Sequence, residues 1–206
     1  MKLIMATTNK DKVREIREML KDSDIDIVSL AEAGITAEIE ENGTTFEENA
    51  TIKAETIRDL TGQMVIADDS GLVVDAMDGA PGVYSARFMG EDTGYDEKCG
   101  AILKNLEGLE EEKRGARFVC AMAIAYPKET GKKTSIFKGV FEGRIAYESK
   151  GENGFGYDPI FYVPEKQMTA AQLSDDEKNE VSHRGKALRK AVEELKKGNK
   201  KEVDMK

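Results

Sequence analysis

Met64-Val65-Ile66-Ala67-Asp68-Asp69-Ser70-Gly71-Leu72 is the stretch on which the fold turns. A short apolar run stops abruptly at two adjacent carboxylates, followed by a hydroxyl and a glycine. Such a run reads as a buried strand, and in open α/β sheets ligands bind beyond the carboxyl ends of strands. Successive strand side chains point to opposite faces. If the strand persists through both acids, Asp68 and Asp69 therefore do different work, one facing a ligand and the other bracing the scaffold. The alternative is a polar strand-to-turn exit, because Asp-Ser-Gly is ordinary turn vocabulary. By itself the stretch favours the turn, so the rest of the chain has to decide.

Upstream, Leu3–Ala6 is a short apolar strand, then Thr7-Thr8-Asn9 leads into a helix with Val13, Ile16, Met19 and Leu20 at 3–4 spacing. Thr8 or Asn9 suits the N-cap, and a strand feeding a polar turn and a helix start is an anion site in waiting. Lys10 and Lys12 fall in that first turn, where the helix dipole disfavours cations. They are either two surface lysines or the partners of phosphate. Ile25–Leu30 reads as a second strand and Ile35–Glu41 as a third ending in Glu40 and Glu41. After the Asn42-Gly43 turn signal, Thr45 and Glu48 form a capping box. The helix it opens runs to about Leu60, with Phe46, Ala50, Ala54 and Ile57 on one face and Lys53 bordering that stripe.

Downstream, Asp78–Arg87 is a Gly- and Pro-rich loop that carries Tyr84 and Arg87, and a helix covers about Tyr95–Leu106. Ala116–Tyr126 and Thr134–Phe141 read as a hairpin across Pro127–Lys132. Glu142–Glu148 continues after a break at Gly143, and the glycine-dense Gly151–Asp158 loop returns to an apolar strand at Ile160-Phe161. The last third holds Met168–Leu173, an acidic run at Asp175–Glu177 and a helix from about Ser182 to Lys197. We expect one catalytic domain over 1–197 and a charged, frayed tail over 198–206.

At 206 residues the chain is long enough to bury a real core. Its 31 basic and 40 acidic residues give a net charge of −9, which argues against a general nucleic-acid binder. One phosphorylated small molecule, held by a local cluster of Lys and Arg, remains compatible with that charge. No apolar run of about 18 residues marks a membrane span, and no charged segment followed by an apolar one marks a secretory signal. The two cysteines, Cys99 and Cys120, make a poor disulfide framework, so free thiols in the cytoplasm are expected.

Several chemistries are disfavoured by inspection. Neither a Gly-x-x-x-x-Gly-Lys-Ser/Thr run nor a Gly-x-Gly-x-x-Gly after a strand occurs, so the P-loop and the dinucleotide fingerprint are absent. His183 is the sole histidine, which removes poly-His zinc sites and leaves nucleophilic triads one candidate base. What remains is a hard-cation pattern. Glu41, Asp68 and Asp69 fall at strand or turn ends, while Lys10, Lys12, Lys178 and Arg184 fall at helix starts. Mg2+ takes oxygen ligands, commonly one or two carboxylates plus substrate phosphates, and cationic side chains meet the remaining phosphate charge. Singly each residue could be surface charge; together they suggest phosphate-anhydride hydrolysis.

Six motifs then appear in order: Thr7–Lys12, Glu41–Ala50, Ala67–Leu72, Pro81–Arg87, Gly154–Pro159 and Ser182–Gly185. Together they resemble the inosine triphosphatase family, the non-standard purine nucleoside triphosphate pyrophosphatases or XTP/dITP diphosphatases, over essentially the whole chain. The resemblance implies an elongated α/β fold whose mixed sheet is shared by two lobes with a central nucleotide-binding cleft, and a homodimer. It implies Mg2+-dependent hydrolysis of ITP, dITP or XTP to the monophosphate and pyrophosphate. It assigns Mg2+ to Glu41 and Asp69, with Asp69 also the general base. Thr7, Thr8, Asn9, Lys10, Asp11, Lys12 and Ser70 would hold phosphates, with Lys53 supporting the metal site and Asp68 bracing from behind. Phe155, Gly156, Tyr157, Asp158, Lys178, His183 and Arg184 would hold the nucleotide and its base.

Elementary chemistry adds a selectivity rule. Phe155 can stack on any purine, so polar groups must discriminate. A 6-keto purine offers an acceptor at O6 and a donor at N1. Asp158 can accept from N1–H while His183 or Arg184 donates to O6. Adenine reverses both and strands buried groups, at roughly 1–3 kcal/mol each. Loss of Arg184 is accordingly expected to impair rejection of ATP more than folding. The runners-up are a non-catalytic nucleotide-binding regulator on the same scaffold, and a septum-inhibitor-type pyrophosphatase, which the Ser182-His183-Arg184-Gly185 motif opposes.

Overall fold

A computed structural model describes the backbone of residues 1–203 and the side chains of residues 1–197. The fold is mixed α/β, with seven strands in the order β2-β1-β3-β4-β5-β6-β7. These are β1 (Lys2–Met5), β2 (Asp26–Ser29), β3 (Val65–Val74), β4 (Gly115–Ala125), β5 (Ser135–Ile145), β6 (Phe161–Val163) and β7 (Met168–Thr169). β1 runs parallel to β2 and β3, whereas β5, β6 and β7 pair antiparallel. The helices are α1 (Lys10–Leu20), α2 (Phe46–Thr61), α3 (Tyr95–Asn105), α4 (Asp175–Val181) and α5 (His183–Val203).

The chain divides into two compact units. The first comprises residues 1–69, 120–139 and the chain from 183 onward; the second comprises 70–119 and 140–182. Each has its own apolar core. In the first, Leu3 and Met5 of β1, Ile66 of β3, and Met122 and Ile124 of β4 pack with Val13, Ile16 and Leu20 of α1 and Leu188 and Leu195 of α5. In the second, Leu72 and Val74 of β3 join Ile102 and Leu106 around α3 and the aromatic cluster of Phe118, Phe141 and Phe161.

Four expectations about elements are corrected. First, β3 does not stop at the acids but continues through Ser70–Val74, because Leu72-Val73-Val74 resumes a β-forming run. Second, Ile35–Glu41 forms no strand: its residues alternate between half-buried and exposed with no paired neighbour to hold them extended. Third, β5 passes through Gly143 without a break. A Cβ there would meet the Phe161 ring at 2.6 Å, so the glycine makes room for an aromatic neighbour rather than ending the strand. Fourth, α5 runs on to Val203, since a single Gly198 costs only about 1 kcal/mol in a helix. The rest of the expected tail, 204–206, lies outside the described residues.

The termini of the helices obey their local sequence. Asn9 caps α1, Thr45 and Glu48 close the expected capping box on α2, and Ser174 with Glu177 does the same for α4. Gly62, at φ 67°, ends α2 in the left-handed conformation that only glycine adopts freely.

Candidate active site

Because β3 stays extended through Asp68 and Asp69, the two carboxylates meet different partners. Asp68 is fully buried. Its Oδ2 accepts from Arg184 Nε at 3.2 Å and Nη2 at 3.1 Å, and Lys12 Nζ lies at 3.2 Å. Arg184 is 2% exposed and its Nη1 donates to Glu15 Oε2 at 2.6 Å. Asp68 thus ties β3 to the first turns of α1 and α5 in a group of two acids and two bases. Burial would raise the Asp68 carboxyl, but the Lys12, Arg184 and Lys53 charges win and hold it well below the usual carboxylate range. Arg184, pulled down by burial, is carried above its ordinary value by Asp68 and Glu15.

Asp69 points to Lys53. The Lys53 ammonium donates to Asp69 Oδ1 at 2.8 Å and to Glu41 Oε2 at 2.9 Å. Lys53 lies on the buried face of α2, one helical turn beyond Asn49. The Asn49 amide oxygen accepts from Gly43 N–H at 2.9 Å, pinning to α2 the turn that follows Glu41. Burial raises the Asp69 pKa above the ordinary Asp value; Lys53 opposes the shift and Glu41 adds to it. Lys53 itself, pulled down by burial, is carried above its usual value by Asp69, Asp68 and Glu41.

The Thr7–Lys12 turn is less open to an anion than its sequence suggests. The Asn9 side chain already accepts from the backbone N–H groups of Asp11 at 2.9 Å and Lys12 at 3.1 Å, and Thr7 Oγ1 accepts from Asn9 N–H at 3.2 Å. Thr8, Lys10 and Asp11 are exposed. Any anion there meets side chains and charge rather than a free helix end. His183 opens α5 and is buried. A Cβ at Gly139 of β5 would stand 2.0 Å from the His183 carbonyl oxygen, so glycine is what lets α5 begin so close to β5.

The second unit holds the rest. Ser70 lies half-buried in β3, just after the acids. Gly154 and Gly156, at φ 75° and 71°, flank Phe155 and give its loop a conformation that side chains resist. Asp158 Oδ2 accepts from Phe155 N–H at 2.8 Å and from Lys178 Nζ at 2.6 Å, and the same ammonium lies 5.2 Å from the Phe155 ring centroid. A Cβ at Gly154 would sit 2.2 Å from Asp158 Oδ2. Tyr157, read from the sequence as touching the nucleotide, is 3% exposed and its hydroxyl donates to Ser85 O at 2.8 Å.

Eleven of the predicted residues therefore fall into three local groups: Asp68 with Lys12 and Arg184, Asp69 with Lys53 and Glu41, and Phe155–Asp158 with Lys178. Sequence reading missed Glu15, Asn49 and Ser85. Asn49 could have been found, since it stands at i−4 from Lys53 beside the apolar stripe of α2. Ser85 lay within the Pro81–Arg87 motif without an assigned role, and Glu15 gave no signal. Both cysteines are free and buried, and burial pushes each thiol up to about 12. The thiolate is the nucleophile, so the folded protein at pH 8 should resist alkylation by iodoacetamide. Mass spectrometry should find both thiols modified only after denaturation, and rapid labelling of the native protein would contradict their burial.

Carboxylates bridged by a buried lysine on a mixed α/β sheet, beside further lysines, define a class of site suited to polyphosphate chemistry. The chain belongs to the Ham1 family, whose description matches residues 3–194. A dITP/XTP pyrophosphatase of Bacillus licheniformis is 54% identical over 188 residues, covering 91% of this chain and 94% of that protein. The solved HAM1 protein of Coxiella burnetii superposes with a TM-score of 0.85 at 42% identity, over 96% of this chain and 99% of that one. The Ham1 protein of Staphylococcus aureus gives 0.84 at 38% identity, over 96% and 100%.

Proposed function

We propose that this protein is a nucleoside triphosphate pyrophosphohydrolase that converts dITP, XTP and ITP to the monophosphate and pyrophosphate, clearing non-standard purines from the nucleotide pool. The observation that carries this reading is the Glu41–Lys53–Asp69 group. Two carboxylates share one ammonium, and Asp69 Oδ2 is buried without a hydrogen-bond partner. A buried, unpaired carboxylate oxygen is costly unless something arrives to use it.

Magnesium fits that requirement. Among the described residues no three His, Cys, Asp or Glu side chains come together to hold a metal, and Mg2+ ordinarily needs only one or two carboxylates with substrate oxygens and water. Glu41 and Asp69 would be those carboxylates. The metal would neutralise charge on the anhydride oxygens. The reaction adds water across the α–β anhydride: a P–O bond forms to the water oxygen, the bridging P–O bond breaks, and pyrophosphate leaves. Asp69 takes the proton from the attacking water, and its raised pKa makes it a stronger base than an ordinary aspartate. Lys53 holds Asp69 and Glu41 in place. Lys12, Lys10 and the hydroxyls of Thr7, Thr8 and Ser70 offset phosphate charge, with Asn9 and Asp11 shaping that turn.

Base selection follows from the second unit's group. Phe155 stacks, Asp158 accepts from N1–H with its remaining acceptor sites, and Lys178 holds Asp158 in place. His183 supplies the donor to O6. Arg184 serves the site through Asp68, to which its guanidinium is committed. We read residues 1–197 as one catalytic domain, acting in the cytoplasm as a homodimer. No described helix is long and apolar enough to cross a membrane.

Lys53 lowers the Asp69 pKa against burial and Glu41. In Lys53→Met only the Lys12 charge is left to oppose those two, so Asp69 holds its proton to higher pH. The acid limb of the kcat/KM profile should move upward; an unmoved limb would deny that Asp69 is the base. The reading as a whole is tested by pyrophosphate release from dITP, XTP, ITP, dGTP, dATP and dTTP with Mg2+ or with EDTA. Release should favour dITP, XTP and ITP and vanish in EDTA. Tight dITP binding without release would indicate a regulator instead.

A further inference from the structure

The Pro81–Arg87 motif has no part in the chemistry above, yet its backbone is gripped from both sides. The Tyr157 hydroxyl donates to Ser85 O at 2.8 Å. The Lys98 ammonium, itself buried, donates to the next carbonyl, Ala86 O, at 2.6 Å. Ser85 Oγ accepts from Leu72 N–H at 2.9 Å and donates to Gly82 O at 2.6 Å. Two successive carbonyls and one hydroxyl therefore fasten the segment to β3, to α3 and to the loop that carries Phe155 and Asp158. Tyr95 of α3 packs edge-on against Tyr157 with ring centroids 5.3 Å apart, and its own ring lies 5.0 Å from the Lys98 ammonium.

Packing alone does not require this. A buried ammonium held by a carbonyl and an aromatic face is expensive compared with a methionine of similar length. In the loop it helps to hold, Phe155 stands between two glycines of positive φ, a backbone conformation that glycine alone adopts freely. Asn153 fastens its start, donating from its backbone N–H to Ala171 O at 3.0 Å and from its amide to Leu173 O at 3.1 Å; Asp158 holds the Phe155 N–H, and the Cys99 thiol donates to Gly156 O at 3.7 Å.

We infer that Pro81–Arg87 is a positioning strap for the Phe155–Asp158 loop, through which Ser85, Lys98 and Tyr157 set selectivity for the 6-keto purine. The inference rests on the base-recognition role proposed for that loop. A misplacement of about 1 Å is enough to weaken a stacking ring and a carboxylate that must meet one base edge together. The three residues act through position: Lys98 and Ser85 fix the strap, and the Tyr157 hydroxyl joins the strap to the loop that presents Phe155 and Asp158.

The test uses Tyr157→Phe, which keeps the ring against Tyr95, and Lys98→Met, which keeps the stem. kcat and KM for dITP and dATP are measured for each variant and for the pair, with Tm alongside. Each variant should raise KM for dITP roughly threefold to tenfold with kcat within about twofold. The dITP-to-dATP ratio of kcat/KM should fall with it, and the double variant should lose less than the two losses combined. Variants that lower Tm but keep wild-type KM and selectivity would overturn the strap and leave a merely structural contact. A wild-type enzyme with no preference for dITP over dATP would overturn the base-recognition reading, and the strap's role with it.

Discussion

Asp69→Asn should lower dITP turnover by about 10²–10⁴-fold and leave the fold intact. Asparagine keeps the shape of the side chain and an oxygen for the Lys53 ammonium, but it cannot accept a proton from water. The effect on stability has a defined sign. Burial raises the Asp69 pKa, so this residue's contribution to stability is full below the unfolded value of about 3.9 and is lost as pH rises through the folded pKa. At neutral pH the wild type carries the cost of that buried charge. The neutral variant is relieved of it but leaves the buried Lys53 ammonium to Glu41, so its Tm at pH 7 should stay close to the wild-type value. Near-normal turnover would remove Asp69 as the base, and a collapse in Tm would show that its charge holds the fold.

Arg184→Met should act in the opposite sense, on the fold first. Its guanidinium lies between Asp68 and Glu15, with Lys12 Nζ also 3.2 Å from Asp68 Oδ2. Removing one partner from a buried ion pair leaves an uncompensated charge and costs about 3–5 kcal/mol. For a chain of this size that is a Tm lower by roughly 6–20 °C. The dITP-to-dATP ratio of the same variant tests the sequence-based expectation that Arg184 bears mainly on the rejection of ATP. Asp68 has a depressed folded pKa, so its stabilising contribution is present above about pH 4 and is lost as pH falls through the folded value. A variant with wild-type Tm, measured by calorimetry at pH 7, would show that Lys12 alone compensates Asp68.

The contrast between the two aspartates shows what a sequence can and cannot carry. Strand alternation requires Asp68 and Asp69 to differ if the strand persists through both, and the structure realises that difference as two sets of hydrogen-bond partners. Which acid faces Arg184 could not be read, because Arg184 lies 116 positions away in the chain and nothing local links them. The capping boxes at Thr45 and Ser174 follow local rules, and the first of these was legible. Ile35–Glu41 was misread as a strand because alternation describes a half-buried segment whether or not a neighbour pairs with it. Gly143 was misread as a break because the sequence does not show the Phe161 ring that needs the space. Tyr157 sits inside a recognition motif, so its role as an anchor appeared only once its hydroxyl was found on Ser85.

The central claim is the bond that breaks. Phosphorus-31 NMR of dITP incubated with the protein and Mg2+ reads it directly. dIMP and pyrophosphate should accumulate in equal amounts, with no orthophosphate and no dIDP. Appearance of dIDP with orthophosphate, or persistence of intact dITP under the same conditions, would contradict it.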